Sequence, residues 1–574
     1  MNQQTTSNST PSADVTGRQI AIVGCGPRGL YCLERLCYEL FRCNGTGPSC
    51  QPHHITIVEP AEHCGAGAVY DLDQPAWLRM NFAAKHIDAW CRNDSLFDDE
   101  LNLVDWLADR GDGHGEPEAF MPRAVVGRYL HDCFCKVVDR LSLIAEISIV
   151  RQSVTDVFQN EGRWRITGTE GYCVDAEEVV ITVGHEGWRE STIAASEGVS
   201  GIELTPVFPV NIRLHLSTIP AASVVAVRGF GLSWIDAALS LTIGRGGKFD
   251  KVGDQLKYYP SGSEPKCIIP FSRSGRPMLA KPLTPRIASG VDLARIWQRG
   301  RTQISEIAAP LNALSIGEQF WPVVSQCARA AWSLVNRQNG HEPSDGSPID
   351  EFFELWCCGK QDAATVADAM RRSVAIALGQ HPVDAAWALA EAWRHLYPAT
   401  VEKISHGGLS AEAWPAFTRI AQEMERIAFG PPAENLRRIL ALIDAGIIDL
   451  RFVSGELGLT AEQQPRLRAE YFEMEITHCV NAVIPSPLNV SQNGPLAPLL
   501  KRGVIRRLHG TQGIEVDSKG QPVNDGKTDT AGLAILGRPT EGCILGNDTL
   551  SRTLHQHVNH WAASVVQRGC PVLS

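Results

Sequence analysis

One stretch constrains the fold more than any other: Gln19-Ile20-Ala21-Ile22-Val23 runs without a break into Gly24-Cys25-Gly26-Pro27-Arg28-Gly29. An uninterrupted apolar run of that length suits a strand buried on both faces of a parallel sheet. The helix expected after it carries Leu30, Leu33, Cys37 and Leu40 on one face, with Glu34 and Arg35 turned away. Each glycine has a physical task in a GxGxxG turn. Gly24 permits the tight turn, Gly26 lets the backbone approach a pyrophosphate, and Gly29 lets the helix pack close to the strand, so that the helix N-terminus faces the anion. A second apolar run, His54-Ile55-Thr56-Ile57-Val58, ends at Glu59, where a carboxylate would accept hydrogen bonds from an adenosine ribose. Glu59 stands 30 residues beyond Gly29, more than the usual ~20, and the Gly/Pro/Cys-rich loop over 44–52 accounts for the surplus.

The pattern returns about two hundred residues on. Val224-Val225-Ala226-Val227-Arg228 leads into Gly229-Phe230-Gly231-Leu232-Ser233-Trp234, with Trp in place of the third glycine. The helix after it carries Leu232, Ile235, Leu239 and Thr242 on one face, and must sit farther from its strand or cross it differently. The following strand, Cys267–Phe271, ends in Ser272-Arg273-Ser274-Gly275-Arg276 rather than in an acid. An arginine there suits a 2′-phosphate and favours NADPH over NADH; Arg273 is the residue expected to make the contact, with Arg245 and Lys248 as further phosphate contacts. Two more apolar strands are expected: Glu178–Val183, which runs into Gly184-His185 as Thr-x-Gly-His, and Gly532–Gly537, followed by Arg538-Pro539-Thr540-Glu541-Gly542 and by Asn547-Asp548-Thr549, which can cap a helix that runs toward Trp561.

Composition narrows the class. The chain has 574 residues, 53 basic against 64 acidic, and a net charge of −11, so it offers no broad basic surface for nucleic acid. Its 17 cysteines are odd in number and irregularly spaced, which reads as free thiols in a reducing, cytoplasmic setting. Residues 1–17 read as a disordered leader without the marks of a signal peptide. The longest apolar candidate for a membrane span, 224–244, holds Arg228 and Asp236, each costly at mid-bilayer, so no membrane association is expected.

Two glycine motifs, the Thr-x-Gly-His strand and the closing Gly-Arg-Pro-Thr-Glu-Gly segment together resemble the FAD/NAD(P)-binding family of flavin-dependent monooxygenase-like proteins. Residues 122–130, 228–236, 244–249, Phe429-Gly430-Pro431-Pro432 and 537–550 are particularly similar. The closest activity within the group is nitrosuccinate-forming aspartate N-monooxygenation. The resemblance implies FAD on Gly24, Gly26, Pro27, Arg28, Gly29 and Glu59, and a nicotinamide nucleotide on Gly229 and Gly231. Asn81, in Trp77-Leu78-Arg79-Met80-Asn81-Phe82, would pass beside the flavin, and Thr540 would lie near it. The implied fold is α/β, two Rossmann-like dinucleotide-binding domains with a large α-helical insertion. A first FAD-binding part over 18–205 and a first NADP-binding part over 206–290 precede the insertion at 291–428. A return to the NADP-binding domain with a linker over 429–530 and to the FAD-binding domain over 531–574 would complete it.

The implied reaction has NADPH reduce FAD, dioxygen react at the flavin, and one oxygen atom pass to a small nucleophilic substrate such as the amine of aspartate. Homo-oligomerisation is compatible with this reading. The FxGxxxHxxx pattern of Baeyer-Villiger enzymes is missing at Phe208, which disfavours ketone oxygenation. A flavin dehydrogenase or aromatic hydroxylase on the same scaffold, and a redox-sensing protein that binds nucleotides without turnover, are the competing readings; Trp234 favours the last. No catalytic side chain is singled out. Arg79, Lys85, Arg273 and Arg286 are the cations considered for an amino-acid carboxylate. Cys32 and Cys37 diverge by about 140° on their helix and read as core thiols, as does the Cys357-Cys358 pair. His131, Cys133 and Cys135, at alternate positions of a helix, cannot converge on one metal ion. The Trp- and Ala-rich stretch 292–425, with a loop over 340–348, reads as helices whose tryptophans form core, with a substrate lid as the alternative.

Overall fold

The computed structural model describes residues 17–44, 52–92, 97–111, 116–184, 202–282, 288, 290–340, 348–484, 493–526, 528–547 and 550–569. The leader up to residue 16, most of the loops over 44–52 and 340–348, His185, Arg286, Asp548 and Thr549 lie outside these residues.

Nine strands form two parallel sheets: β1 (Arg18–Val23), β2 (His53–Val58), β3 (Ala145–Val150), β4 (Glu178–Ile181), β5 (Leu204–Pro206), β6 (Val224–Arg228), β7 (Cys267–Phe271), β8 (His478–Asn481) and β9 (Leu533–Ile535). The first sheet has the order β9-β4-β1-β2-β3 and the second β7-β6-β8-β5. Both are the doubly wound arrangement in which ligands collect outside the C-terminal ends of the strands. The central strands are buried on both faces, as their unbroken apolar runs require. The chain leaves the first sheet after β4 and returns at β9, which pairs with β4 in the register Leu533↔Val179 to Ile535↔Ile181. An antiparallel three-stranded sheet within 154–176 and several helices over 294–428 complete the frame.

Helix α1 (Pro27–Asn44) follows the first glycine turn, and α2 (Arg123–Leu141) and the C-terminal helix pack beside it. Cys32 and Cys37 are both buried free thiols. One expectation fails here: Glu34 and Arg35 do not face solvent. Both are almost fully buried, Glu34 bridging Arg35 at 2.6 Å and pairing with Arg552. The physical reason is coverage from both sides. The segment that returns from the far end of the chain lies over the face that helical periodicity leaves outside, and its Arg552 supplies the charge that makes burial of a carboxylate tolerable. Trp387 and Trp393 lie in the core of the helical region. No described helix is long and apolar enough to cross a membrane.

Candidate functional site

The first glycine turn closes the C-terminal end of β1. Gly24 has φ +86°, and a Cβ at Gly29 would stand 2.5 Å from the Gly24 carbonyl oxygen, so the fold itself demands both glycines. Thr182, from the Thr-x-Gly-His strand, donates its hydroxyl to that same carbonyl and ties the turn to β4. Gly26 is different. A Cβ there would meet only Gly67 Cα, at an ordinary 3.6 Å, and its φ lies outside the left-handed region. Gly24, Gly26, Pro27 and Arg28 remain partly open while Gly29 is buried, so the turn presents its backbone outward at the start of α1.

The second turn repeats the division. Gly229 has φ +107° and its Cβ would be 3.0 Å from the Ala482 carbonyl carbon, whereas a Cβ at Gly231 would find only the Met278 sulfur, at 4.0 Å. At the middle position of both turns the protein leaves room for a side chain that the sequence withholds. A cradle of that kind fits a diphosphate brought against the backbone. Trp234, at the third position, points inward and packs against Phe230, 5.0 Å between ring centres, within a core that includes Leu78 and Ile235. It stands in the core, so it gives the non-catalytic reading no support.

Glu59 ends β2 with its carboxylate drawn under the turn. Oε2 accepts from the Cys25 amide at 2.7 Å and Oε1 from the Ala61 amide at 2.8 Å. Each oxygen keeps a second acceptor direction for a ribose hydroxyl. The loop beyond Glu59 crosses the turn, with Gly65 N donating to Cys25 O and Arg151 Nη1 reaching Cys64 Sγ at 3.1 Å. A hydrogen bond from Cys25 and the charge of Arg151 draw the Cys64 thiol down, while burial pushes Cys25 well up.

The closing segment lies against the same end of the first sheet. Gly537 has φ +88° and sits 3.5 Å, from its would-be Cβ, to the Arg28 side chain, whose Nη2 donates to Asn547 O at 3.3 Å. Thr540 shows no accessible surface: its hydroxyl donates to Gly537 O and accepts from Asn547 Nδ2. Its side chain holds the turn together rather than facing a ligand. Nearby, the buried atoms Arg538 Nε and Asn547 Oδ1 have no hydrogen-bond partner among the described residues, a donor and an acceptor left for another group.

Arg245, expected at a phosphate, and Arg276 are spent on the protein. Arg245 donates to the carbonyls of Leu214, Ile219 and Ser263, and Arg276 to those of Trp356, Cys357 and Gly359, so each guanidinium closes a loop of the protein itself. Lys248 lies exposed on a separate hairpin. Arg273 is exposed two residues beyond Phe271, which faces Arg228 across the register and accepts from the Gly229 amide; it therefore flanks the second turn.

A junction joins the two halves. Arg123 of α2 pairs with Asp236 of α3 (Leu232–Ser240) at 2.7 Å, a contact between two of the stretches that carried the resemblance. Burial pushes the Asp236 carboxyl up, opposed by Arg123. Asn81 lies where three segments meet: its Nδ2 donates to Phe429 O at 3.1 Å, and its carbonyl accepts from Lys281 Nζ at 2.9 Å. Gly430 is required because its Cβ would fall 1.8 Å from the Leu279 carbonyl oxygen, which explains the Phe-Gly-Pro-Pro signature. Helix α4 (Ala385–Ile404) brings Glu391 and Arg394 alongside. Burial works against the charge of Glu391, yet Arg394 and His395 hold its carboxyl at about 2. Sequence reasoning missed Lys281 and Arg394; a lone lysine between Leu279-Ala280 and Pro282 was the available signal. Of the cations it named, Arg79 is bonded to Phe120 O and faces Glu434, and Lys85 is exposed and paired with Glu118.

Residues 21–186 match the model of a family described as FAD-NAD(P)-binding. Over 601 residues the chain is 26% identical to the nitrosuccinic acid synthase of Aspergillus oryzae (strain ATCC 42149 / RIB 40), covering 93% of this chain and 89% of that protein. It is 26% identical to the nitrosuccinate-forming L-aspartate N-monooxygenase of Streptomyces cremeus, covering 75% and 74%. A second enzyme with that name, from Streptomyces davaonensis (strain DSM 101723 / JCM 4913 / KCC S-0913 / 768), is 23% identical over 78% and 79%.

Proposed function

We propose that this chain, whose residues 21–186 match an FAD-NAD(P)-binding family, is an FAD- and NADPH-dependent monooxygenase that oxygenates the amine of a small amino acid such as aspartate. The observation that carries the reading is the pair of glycine turns: each ends a parallel strand, and each keeps at its middle position a glycine that the protein's own packing does not require. The similarity to aspartate N-monooxygenases directs the choice of substrate.

When bound, FAD reduced by NADPH supplies the activation of dioxygen. The chain's own residues bind and orient. The Gly24–Gly29 turn with the start of α1 holds the FAD diphosphate, Glu59 the adenosine ribose, and Arg28 and the Gly537–Asn547 segment close over it. The Gly229–Gly231 turn holds the nicotinamide nucleotide, with Arg273 beside its 2′-phosphate. The Asn81–Phe429 hydrogen bond ties the two halves together beside the place proposed for the substrate. The reading keeps domain limits near 205, 290, 428 and 530. The free thiols of the described cysteines suit a cytoplasmic protein.

The test is an absorbance spectrum of the purified protein, then NADPH oxidation and oxygen uptake with an amino-acid panel headed by aspartate. A flavin spectrum with aspartate-stimulated oxygen uptake, yielding hydroxylamine, nitroso or nitro product, is expected. A colourless protein, or NADPH oxidation indifferent to every amine, refutes the proposal.

A further inference from the structure

Lys281 is held from three directions. Its backbone amide donates to the Pro431 carbonyl at 2.8 Å, its Nζ donates to the Asn81 carbonyl at 2.9 Å, and the ammonium lies 5.5 Å from the centre of the Phe82 ring. An ammonium has three N–H donors, and one carbonyl accepts only one of them. Protein surrounds the group so fully that burial pushes it down to about 7, yet part of its surface remains open, as it does for Asn81, Phe82, Phe429 and Arg394. The Lys281 side chain is thus desolvated without being sealed off, among groups that are themselves partly open.

The charged groups that face Lys281 are Arg394 and Glu391 from α4, and His86, whose ring packs on Phe82. Glu391 is already engaged by Arg394 and His395. Lys281, Arg394 and His86 thus stand around a carboxylate that Arg394 and His395 already engage, and among the described residues no acid ion-pairs with Lys281. A desolvated ammonium without an anion is costly, and chains that keep one commonly use it. Arg394 is itself engaged by Glu391 and by the Ala428 carbonyl, at 2.6 Å, so Lys281 is the cation of this group with donors to spare.

We infer that Lys281, with Arg394 beside it, is the specificity-determining cation that receives a carboxylate of the amino-acid substrate, so that the site selects acidic amino acids over neutral and basic ones. The inference rests on the amine-oxygenation reading above. It assigns Lys281 contact with the substrate and leaves the oxygenation step unchanged. It also has a signature that a merely structural lysine lacks. A docked carboxylate stabilises the ammonium, so above pH 7, where the free lysine is largely neutral, each binding event draws a proton from the medium onto Nζ.

The test uses the FAD-loaded protein and two probes, L-aspartate and succinate, the latter a dicarboxylate with no amine to oxygenate, with L-asparagine as the neutral control. Binding is read by calorimetry in buffers of different ionisation enthalpy, from pH 6 to 9. Wild type should bind both probes in preference to asparagine, with succinate affinity falling above pH 7 and proton uptake rising toward one per site. Lys281→Met should bind succinate ~30-fold or more weakly, with flavin content unchanged, and Lys281→Arg should recover part of the loss. Succinate affinity that is equal in Lys281→Met and wild type overturns the inference, as does wild-type affinity that is flat from pH 6 to 9, a measurement that needs no variant. Charge-dependent succinate binding by a protein that does not oxygenate aspartate would uphold the carboxylate anchor while removing the oxygenase reading.

Discussion

Gly26→Ala separates what the fold needs from what a ligand needs. In the protein alone the new Cβ stands 3.6 Å from Gly67 Cα, an ordinary contact, and the φ at this position is open to any residue. The loss of glycine at the residue before α1 costs a few tenths to about 1 kcal/mol, and the stiffer unfolded chain returns a similar amount. The ligand-free stability should therefore change by less than about 1 kcal/mol. A diphosphate seated against the Gly26 backbone meets the methyl group directly, and overpacking of that kind costs about 1–3 kcal/mol, or ~5- to 150-fold in FAD affinity. At a free FAD concentration one hundred times the wild-type Kd, FAD adds about 2.7 kcal/mol to wild-type stability but only about 0.4 kcal/mol to a variant with hundredfold weaker binding. The assay is thermal or urea unfolding with and without FAD, together with the flavin-to-protein absorbance ratio. Gly29→Ala is the control of opposite kind: its Cβ falls 2.5 Å from Gly24 O, so it should lose about 3 kcal/mol or more before any ligand is added. A Gly26→Ala protein that keeps wild-type flavin content and the full FAD-dependent gain would refute the placement of the diphosphate.

Arg273→Ala should raise the KM for NADPH about tenfold and leave that for NADH nearly unchanged, because the exposed guanidinium beside the second turn has only the 2′-phosphate to discriminate; equal effects on both nucleotides would count against it. Arg123→Met strands the buried Asp236, and a loss of about 3 kcal/mol is expected in unfolding at pH 7. Since Asp236 has its carboxyl raised by burial, the variant should be less impaired at acid pH, its deficit growing as pH rises through the folded-state value; a pH-independent deficit would contradict this. Lys281 is lowered to about 7 when folded, so the unfolded chain binds more protons between about pH 7 and 10.5 and this group's contribution to stability rises with pH across that window. Lys281→Met should accordingly be more stable than wild type at or below pH 7, with the advantage narrowing toward pH 10, as read from urea midpoints.

Much of the frame is legible in the order of residues alone. Strand, glycine turn and helix follow one another in the chain, so Ile20–Val23 and Gly24–Gly29 declare both the parallel sheet and its anion-facing end through local chemistry. The helical character of 292–425 is legible for the same reason, as helical periodicity is a property of neighbours.

Other features come only from contacts between distant parts of the chain. Glu34 has the periodicity of a solvent-facing residue, but Arg552, 518 residues away, covers it. Arg245 has the position of a phosphate ligand, but the carbonyls of Leu214, Ile219 and Ser263 claim it. Thr540 has the place of a flavin contact, but Asn547 encloses its hydroxyl. Two glycine turns at the ends of buried parallel strands follow from the order of residues, because backbone freedom at Gly24 and Gly229 and apolar continuity in β1 and β6 are written residue by residue. Which charges are spent and which remain depends on the folded chain: an ion's partner is chosen by distance in space, and Asn81, Lys281, Arg394 and Phe429, scattered over some 350 positions, meet only when the chain folds.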